Sequence, residues 1–188
     1  MSLLAPAINA ARTIGPEVNL TPYAAGDGLP VFITPLDPRL ASDLDYAVAW
    51  LRDREAAVDA YLYEVGAVVL RGFASHDTHG FGAAIDHYPD MPHGYTGGAS
   101  PRSAIEGRVF EATRAPAEAK LMFHQEMAYL PNYPSKLAFF CNVPATTGGA
   151  TLIADVRRFD EAVDPKFRAQ IKQRGVRYTR NFRPPDRS

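Results

Sequence analysis

Proline fixes φ and removes a backbone donor, so sixteen prolines in 188 residues set the coarsest limit on this fold. The usual share is about 5%. A helix bundle is excluded, and many short elements joined by loops are expected. The density is greatest at the start: Pro6, Gly15, Pro16, Pro22, Gly26, Gly28 and Pro30 leave little room for helix before residue 31. Residues 1–30 are therefore read as an irregular segment, and residues 31–188 as one domain. Val31-Phe32-Ile33 suits a short edge strand.

Beyond Pro38 the pattern changes. Leu44, Val48, Leu51, Val58, Tyr61, Leu62 and Val65 recur at helical spacing, over one helix or two. Asp43 suits the N-cap and Gly66 the C-cap. Ala67–Leu70 is a continuous apolar run and reads as a buried strand. Ser75 or Asp77 caps a further helix carrying Phe81, Ala84 and Ile85. Residues 89–103 form a loop and Pro116–Ala119 a turn. Strands are predicted at Val109–Ala112, Leu137–Val143, Thr151–Ala154 and Val176–Phe182. A helical stretch with a break near Pro165 is predicted over Phe159–Gln173. Helices come first and strands later. That order predicts an α+β or mainly β fold, not an alternating βαβ one.

Twenty basic and 21 acidic residues nearly cancel, which argues against a nucleic-acid footprint or a polybasic membrane anchor. No run reaches the ~18 apolar residues of a spanning helix. Residues 1–14 make a poor signal peptide. The lone Cys141 fits a reducing compartment, so a cytoplasmic location is expected.

Three segments carry possible chemistry. In His124-Gln125-Glu126, positions i and i+2 of an extended chain point the same way, so an imidazole and a carboxylate share a face. Such a pair, with a second histidine, makes the facial triad of non-haem iron(II) oxygenases. Composition alone yields about 0.6 pairs of this kind by chance in ordinary globular sequence, so the pair taken singly is equally a solvated surface feature. Gly148-Gly149-Ala150-Thr151 followed by Leu152-Ile153-Ala154-Asp155 reads as a tight turn entering a strand. Arg102 lies in a Gly- and Pro-rich loop.

Order and spacing bind these segments together. Phe123–Tyr129, Pro134–Cys141, Pro144-Ala145, Gly148–Thr151, Gly66–Phe73, Gly97–Arg102 and Gly175–Phe182 together resemble the taurine dioxygenase/TfdA-like family, and within it the SyrP-like branch. The resemblance runs from about residue 30 to 182. It implies a double-stranded β-helix, or jelly-roll, core with flanking helices. It implies an iron(II)- and 2-oxoglutarate-dependent dioxygenase that uses O2 to hydroxylate a C–H bond. His124 and Glu126 match two iron ligands, and Thr151 matches a residue that binds a 2-oxoglutarate carboxylate. Arg102, in the loop before the iron pair, suits a substrate carboxylate as a bidentate fork, and Lys120, four residues before His124, matches a position facing the substrate. That substrate is expected to be small and amino-acid-like, free or on a carrier protein.

The family pattern also carries a distal histidine and, soon after it, an arginine for 2-oxoglutarate. No histidine follows His124; His76, His79, His87 and His93 all precede it. Arg174, Arg177, Arg180, Arg183 and Arg187 lie before the family's arginine segment. The chain therefore reads as the N-terminal part of such a domain, apparently truncated and inactive alone. A complementing C-terminal chain or self-association is the expected partner. The alternative is a non-catalytic remnant, or half of a split enzyme, acting as an interaction module. His76, His79 or His93 as a third ligand is a further option, although Ser75–His79 equally suits a capping loop. A zinc hydrolase built on His76, His79 and His124 lacks a general base and a His-Glu-x-x-His helix.

Overall fold

The computed structural model describes residues 14–23, 29–91, 103–112 and 121–179. The predicted turn at Pro116–Ala119 lies outside them, as do Arg102, Lys120 and His93.

Strand β1, Val18–Pro22, pairs antiparallel with β2, Val31–Pro35, in the register Val18↔Pro35 to Pro22↔Val31. β2 pairs in parallel with β3, Val68–Leu70. Two expectations are corrected here. Residues 18–22 are a strand within the segment read as irregular, and β2 is the central strand of the sheet rather than an edge. Proline did not prevent this, because Pro22 and Pro35 sit at strand ends, where a missing donor is tolerated. β3 is half-buried to exposed rather than fully buried, since it lies at the sheet edge.

The helices between β2 and β3 make the crossover that a parallel pair requires. One βαβ unit is therefore present, against the expectation of none. It comprises α1, Arg39–Ser42; α2, Leu44–Asp53; and α3, Glu55–Val65. Asp43 caps α2 by accepting from the Tyr46 amide at 3.0 Å. The helical pattern breaks at Arg54, so two helices form. Gly66 ends α3 in the left-handed region at φ 88°, where only glycine sits without Cβ strain.

The core follows from these faces. Ala47, Trp50 and Leu51 of α2 and Val58, Tyr61 and Val65 of α3 are buried with Val18, Val31, Ile33 and Leu40. Trp50 packs on Phe73 with ring centroids 5.9 Å apart, and its indole N–H donates to Glu17 Oε2 at 3.4 Å.

Asp77 caps α4, Thr78–Ile85, by accepting from the Gly80 amide at 2.8 Å. A two-stranded hairpin follows, β4 at Ala104–Glu106 and β5 at Val109–Phe110. Arg108 ties it to the end of α4: its guanidinium donates to the Pro89 carbonyl at 3.1 Å and pairs with Asp90 at 2.9 Å.

From residue 121 to 155 the described chain has no regular element. The strands expected at Leu137–Val143 and Thr151–Ala154 are absent, and so is the described part of Val176–Phe182. A strand exists only where a neighbour completes its ladder, and no described segment pairs with these in a sheet. Their apolar side chains stay exposed, Phe139 at 64% and Leu152 at 74%. Two helices follow, α5 at Val156–Ala162 and α6 at Pro165–Arg174, dividing where Pro165 was expected to divide them. Asp155 and Asp164 cap them. The described residues thus form an α+β structure with two small sheets. No helix among them is long and apolar enough to cross a membrane.

Candidate metal centre

His124 lies in a stretch without regular structure, and Glu126 opens the turn that follows it. The turn is set by Met127, whose φ of 56° is unusual for a residue with a Cβ. Burial offsets that cost: Met127 is only 2% exposed. The Leu130 amide donates to the Met127 carbonyl at 2.9 Å and closes the turn. A buried side chain therefore fixes the backbone directly after the acidic residue.

This backbone brings the two expected ligands together. His124 Nε2 lies 3.9 Å from Glu126 Oε2. The imidazole is open to solvent, while the Glu126 side chain is 14% exposed. His124 Nδ1 lies 2.8 Å from the Met122 carbonyl. A carbonyl only accepts, so Nδ1 donates a proton to Met122, and that bond turns Nε2 toward Glu126. A carbonyl orienting one ring nitrogen while the other faces a donor site is the usual support of a metal-bound histidine. The donor chemistry, one imidazole nitrogen and one carboxylate, fits two positions of an iron(II) facial triad.

Thr151 is exposed and follows two left-handed glycines, Gly148 at φ 68° and Gly149 at φ 70°. Among the described residues no hydrogen bond joins it to His124 or Glu126. Nor is any group of three or more His, Cys, Asp or Glu assembled there that could hold a metal. His79 is engaged elsewhere, with Nδ1 2.9 Å from Glu106 Oε1, which raises its pKa. His76 joins no such cluster either.

A separate cleft of about 160 Å³ lies between α4, the hairpin and residues 137–142, lined by Phe81, Ile105, Val109, Leu137 and Phe139 among others. Phe140 stacks on Phe81 across it, centroids 5.3 Å apart. Neither His124 nor Glu126 lines it, and it is smaller than the ~300 Å³ at which ligand pockets begin. Sequence reasoning missed two further features. One is the left-handed Met127, for which no local pattern exists. The other is the pair of contacts with α3, the Lys136–Asp59 ion pair and the Arg157 hydrogen bonds to the Tyr63 and Glu64 carbonyls, which span too many residues to be read from spacing.

The family described as taurine catabolism dioxygenase TauD, TfdA family, matches residues 33–187. A clavaminate synthase-like protein of Arabidopsis thaliana is 33% identical over 135 residues, covering 69% of this chain and 40% of that protein. The dapdiamide synthesis protein DdaC of Enterobacter agglomerans is 30% identical over 125 residues, covering 66% of this chain and 38% of its own. The matched part of the chain thus spans about two fifths of the length of these relatives. A match over most of the chain, with the His124–Glu126 pair inside it, means that this protein belongs to the TauD/TfdA family of dioxygenases.

Proposed function

We propose that this chain supplies the iron-binding part of an Fe(II)/2-oxoglutarate-dependent hydroxylase with a jelly-roll core. His124 and Glu126 hold the metal, and Thr151 binds a carboxylate of 2-oxoglutarate. The observation that carries the reading is the 3.9 Å pair with its Met122-oriented imidazole, in a chain of this family. When bound, iron(II) lets O2 convert 2-oxoglutarate to succinate and CO2 while one oxygen atom enters a substrate C–H bond. The chain's own residues do simpler work. His124 offers its Nε2, Glu126 offers a carboxyl group from a mostly buried position, and the Thr151 hydroxyl donates one hydrogen bond. Arg102 and Lys120 face an amino-acid-like substrate, free or on a carrier protein, and Arg102 grips its carboxylate as a fork.

Among the described residues no third His, Cys, Asp or Glu joins His124 and Glu126, so the remaining metal ligand and the 2-oxoglutarate arginine come from polypeptide outside these residues. The exposed Leu137, Phe139, Leu152 and Ile153 support a partner that adds strands and covers them. The same exposure favours a second reading, an interaction module without turnover.

The test is succinate formation with iron(II), ascorbate and 2-oxoglutarate. The chain alone is expected to give little. The chain with a polypeptide covering the rest of the relatives' length is expected to turn over, and His124→Ala or Glu126→Ala to abolish it. Turnover that survives either substitution refutes the ligand assignment. Strong turnover by the chain alone, persisting without His76, His79, His87 and His93, refutes the need for a partner.

A further inference from the structure

Two distant side chains fasten the candidate site to one helix. Lys136 pairs with Asp59 on α3, and its ammonium lies 4.2 Å from the centre of the Tyr88 ring. One turn further along α3 the chain returns. Arg157 Nη1 donates to the Glu64 carbonyl at 3.0 Å, with the Tyr63 carbonyl at 3.5 Å. These carbonyls belong to the last turn of α3, whose oxygens lack intrahelical partners and carry the negative end of the helix dipole. Asp155 holds the same guanidinium in a fork, Oδ1 to Nε at 2.9 Å and Oδ2 to Nη2 at 3.0 Å. The fork aims the third nitrogen at the helix. Gly66 makes room for the guanidinium: a Cβ there would stand 3.2 Å from Arg157 Nη2.

We propose that Lys136 and Arg157 are positioning residues, and that α3 is the rigid reference against which the metal pair and the Gly148–Thr151 turn are held. The inference rests on the proposed roles of His124, Glu126 and Thr151. His124 and Glu126 lie shortly before the first anchor, and Thr151 lies between the two. Residues 121–155 have no strand ladder of their own among the described residues, so these anchors, with the Phe81–Phe140 stack and the buried Met127, help to determine where the segment sits. α3 is suited to the task because Val58, Tyr61 and Val65 root it in the core.

The chain carries one tryptophan and one cysteine, Trp50 in α2 and the exposed Cys141 beyond Lys136. Energy transfer from Trp50 to a thiol-linked acceptor on Cys141 therefore reads the docking of this segment in the full chain. Lys136→Met and Arg157→Gln are each expected to lower the transfer while unlabelled Trp50 emission stays native. Asp59→Lys alone is expected to lower it, and Asp59→Lys with Lys136→Asp to restore it. Unchanged transfer in the Lys136→Met, Arg157→Gln double variant overturns the proposal. So does a loss that charge exchange fails to restore. Cobalt(II) titration, followed by its visible absorption, is expected to show several-fold weaker binding in both anchor variants; equal affinity overturns the positioning role. His124→Ala touches neither anchor. If it leaves cobalt(II) binding intact, the metal assignment fails, while the transfer measurement still decides the docking of the segment.

Discussion

Single residues show how much one conformation can decide. Gly66 sits at φ 88°, and a Cβ there would also crowd the Arg157 guanidinium. Gly66→Ala should destabilise the chain by about 1 kcal/mol or somewhat more, read as a lower urea midpoint with an unchanged m-value. Two histidines respond to pH in opposite senses. Glu106 beside His79 raises its pKa, so that pair contributes below the ordinary value of 6.5 and is lost as pH rises through the folded value. Burial lowers the pKa of His87, whose ring nitrogens have no hydrogen-bond partner among the described residues. The neutral form is favoured, so its contribution is complete above 6.5 and is lost as pH falls through the folded value. His79→Gln should therefore flatten the alkaline side of a plot of thermal midpoint against pH. His87→Phe should flatten the acid side.

Elements form where caps and partners agree. Asp77 accepts from the Gly80 amide and starts α4, which carries one wall of the cleft and holds the hairpin through His79. Asp77→Ala should cost about 1 kcal/mol, checked by equilibrium denaturation. The same logic explains the missing strands. Leu137–Val143 and Thr151–Ala154 are rich in apolar residues, but strand propensity is mostly packing against neighbours. Without a ladder partner among the described residues, that composition leaves exposed side chains instead of a sheet.

At the scale of the molecule, two halves differ in how they bury apolar surface. The β1–β3 sheet and α1–α3 enclose a core, whereas α5 and α6 have no buried residue. Phe139, Val143, Leu152, Phe159 and Tyr178 are all exposed. Each large apolar side chain left in water forgoes roughly 1.5–3 kcal/mol, against a net domain stability of only ~5–15 kcal/mol. The chain alone should therefore self-associate or unfold over a broad transition. Sedimentation velocity and thermal denaturation check this, and a monodisperse monomer with one sharp transition contradicts it. His124→Ala and Glu126→Ala should leave the behaviour unchanged, because the cause is uncovered surface and not the metal.

Local chemistry was legible in the sequence. The caps at Asp43, Gly66 and Asp77, the helical faces around Leu51 and Val58, and the division at Pro165 each depend on a few neighbouring residues. That His124 and Glu126 come within 3.9 Å was legible for the same reason, since they are two positions apart. Family membership was legible from the order of short blocks. What depended on distant segments was not. Whether Val18–Pro22 becomes a strand is decided by β2 lying beside it, and whether Leu137–Val143 does is decided by a partner no local pattern can announce. The proton on His124 Nδ1 is decided by where the Met122 carbonyl points. The anchoring of the site on α3 joins residues 77 and 93 positions apart, Lys136 to Asp59 and Arg157 to Glu64. Hydrogen bonds and ion pairs act over a few ångströms of space, so only the folded chain determines which of them exist.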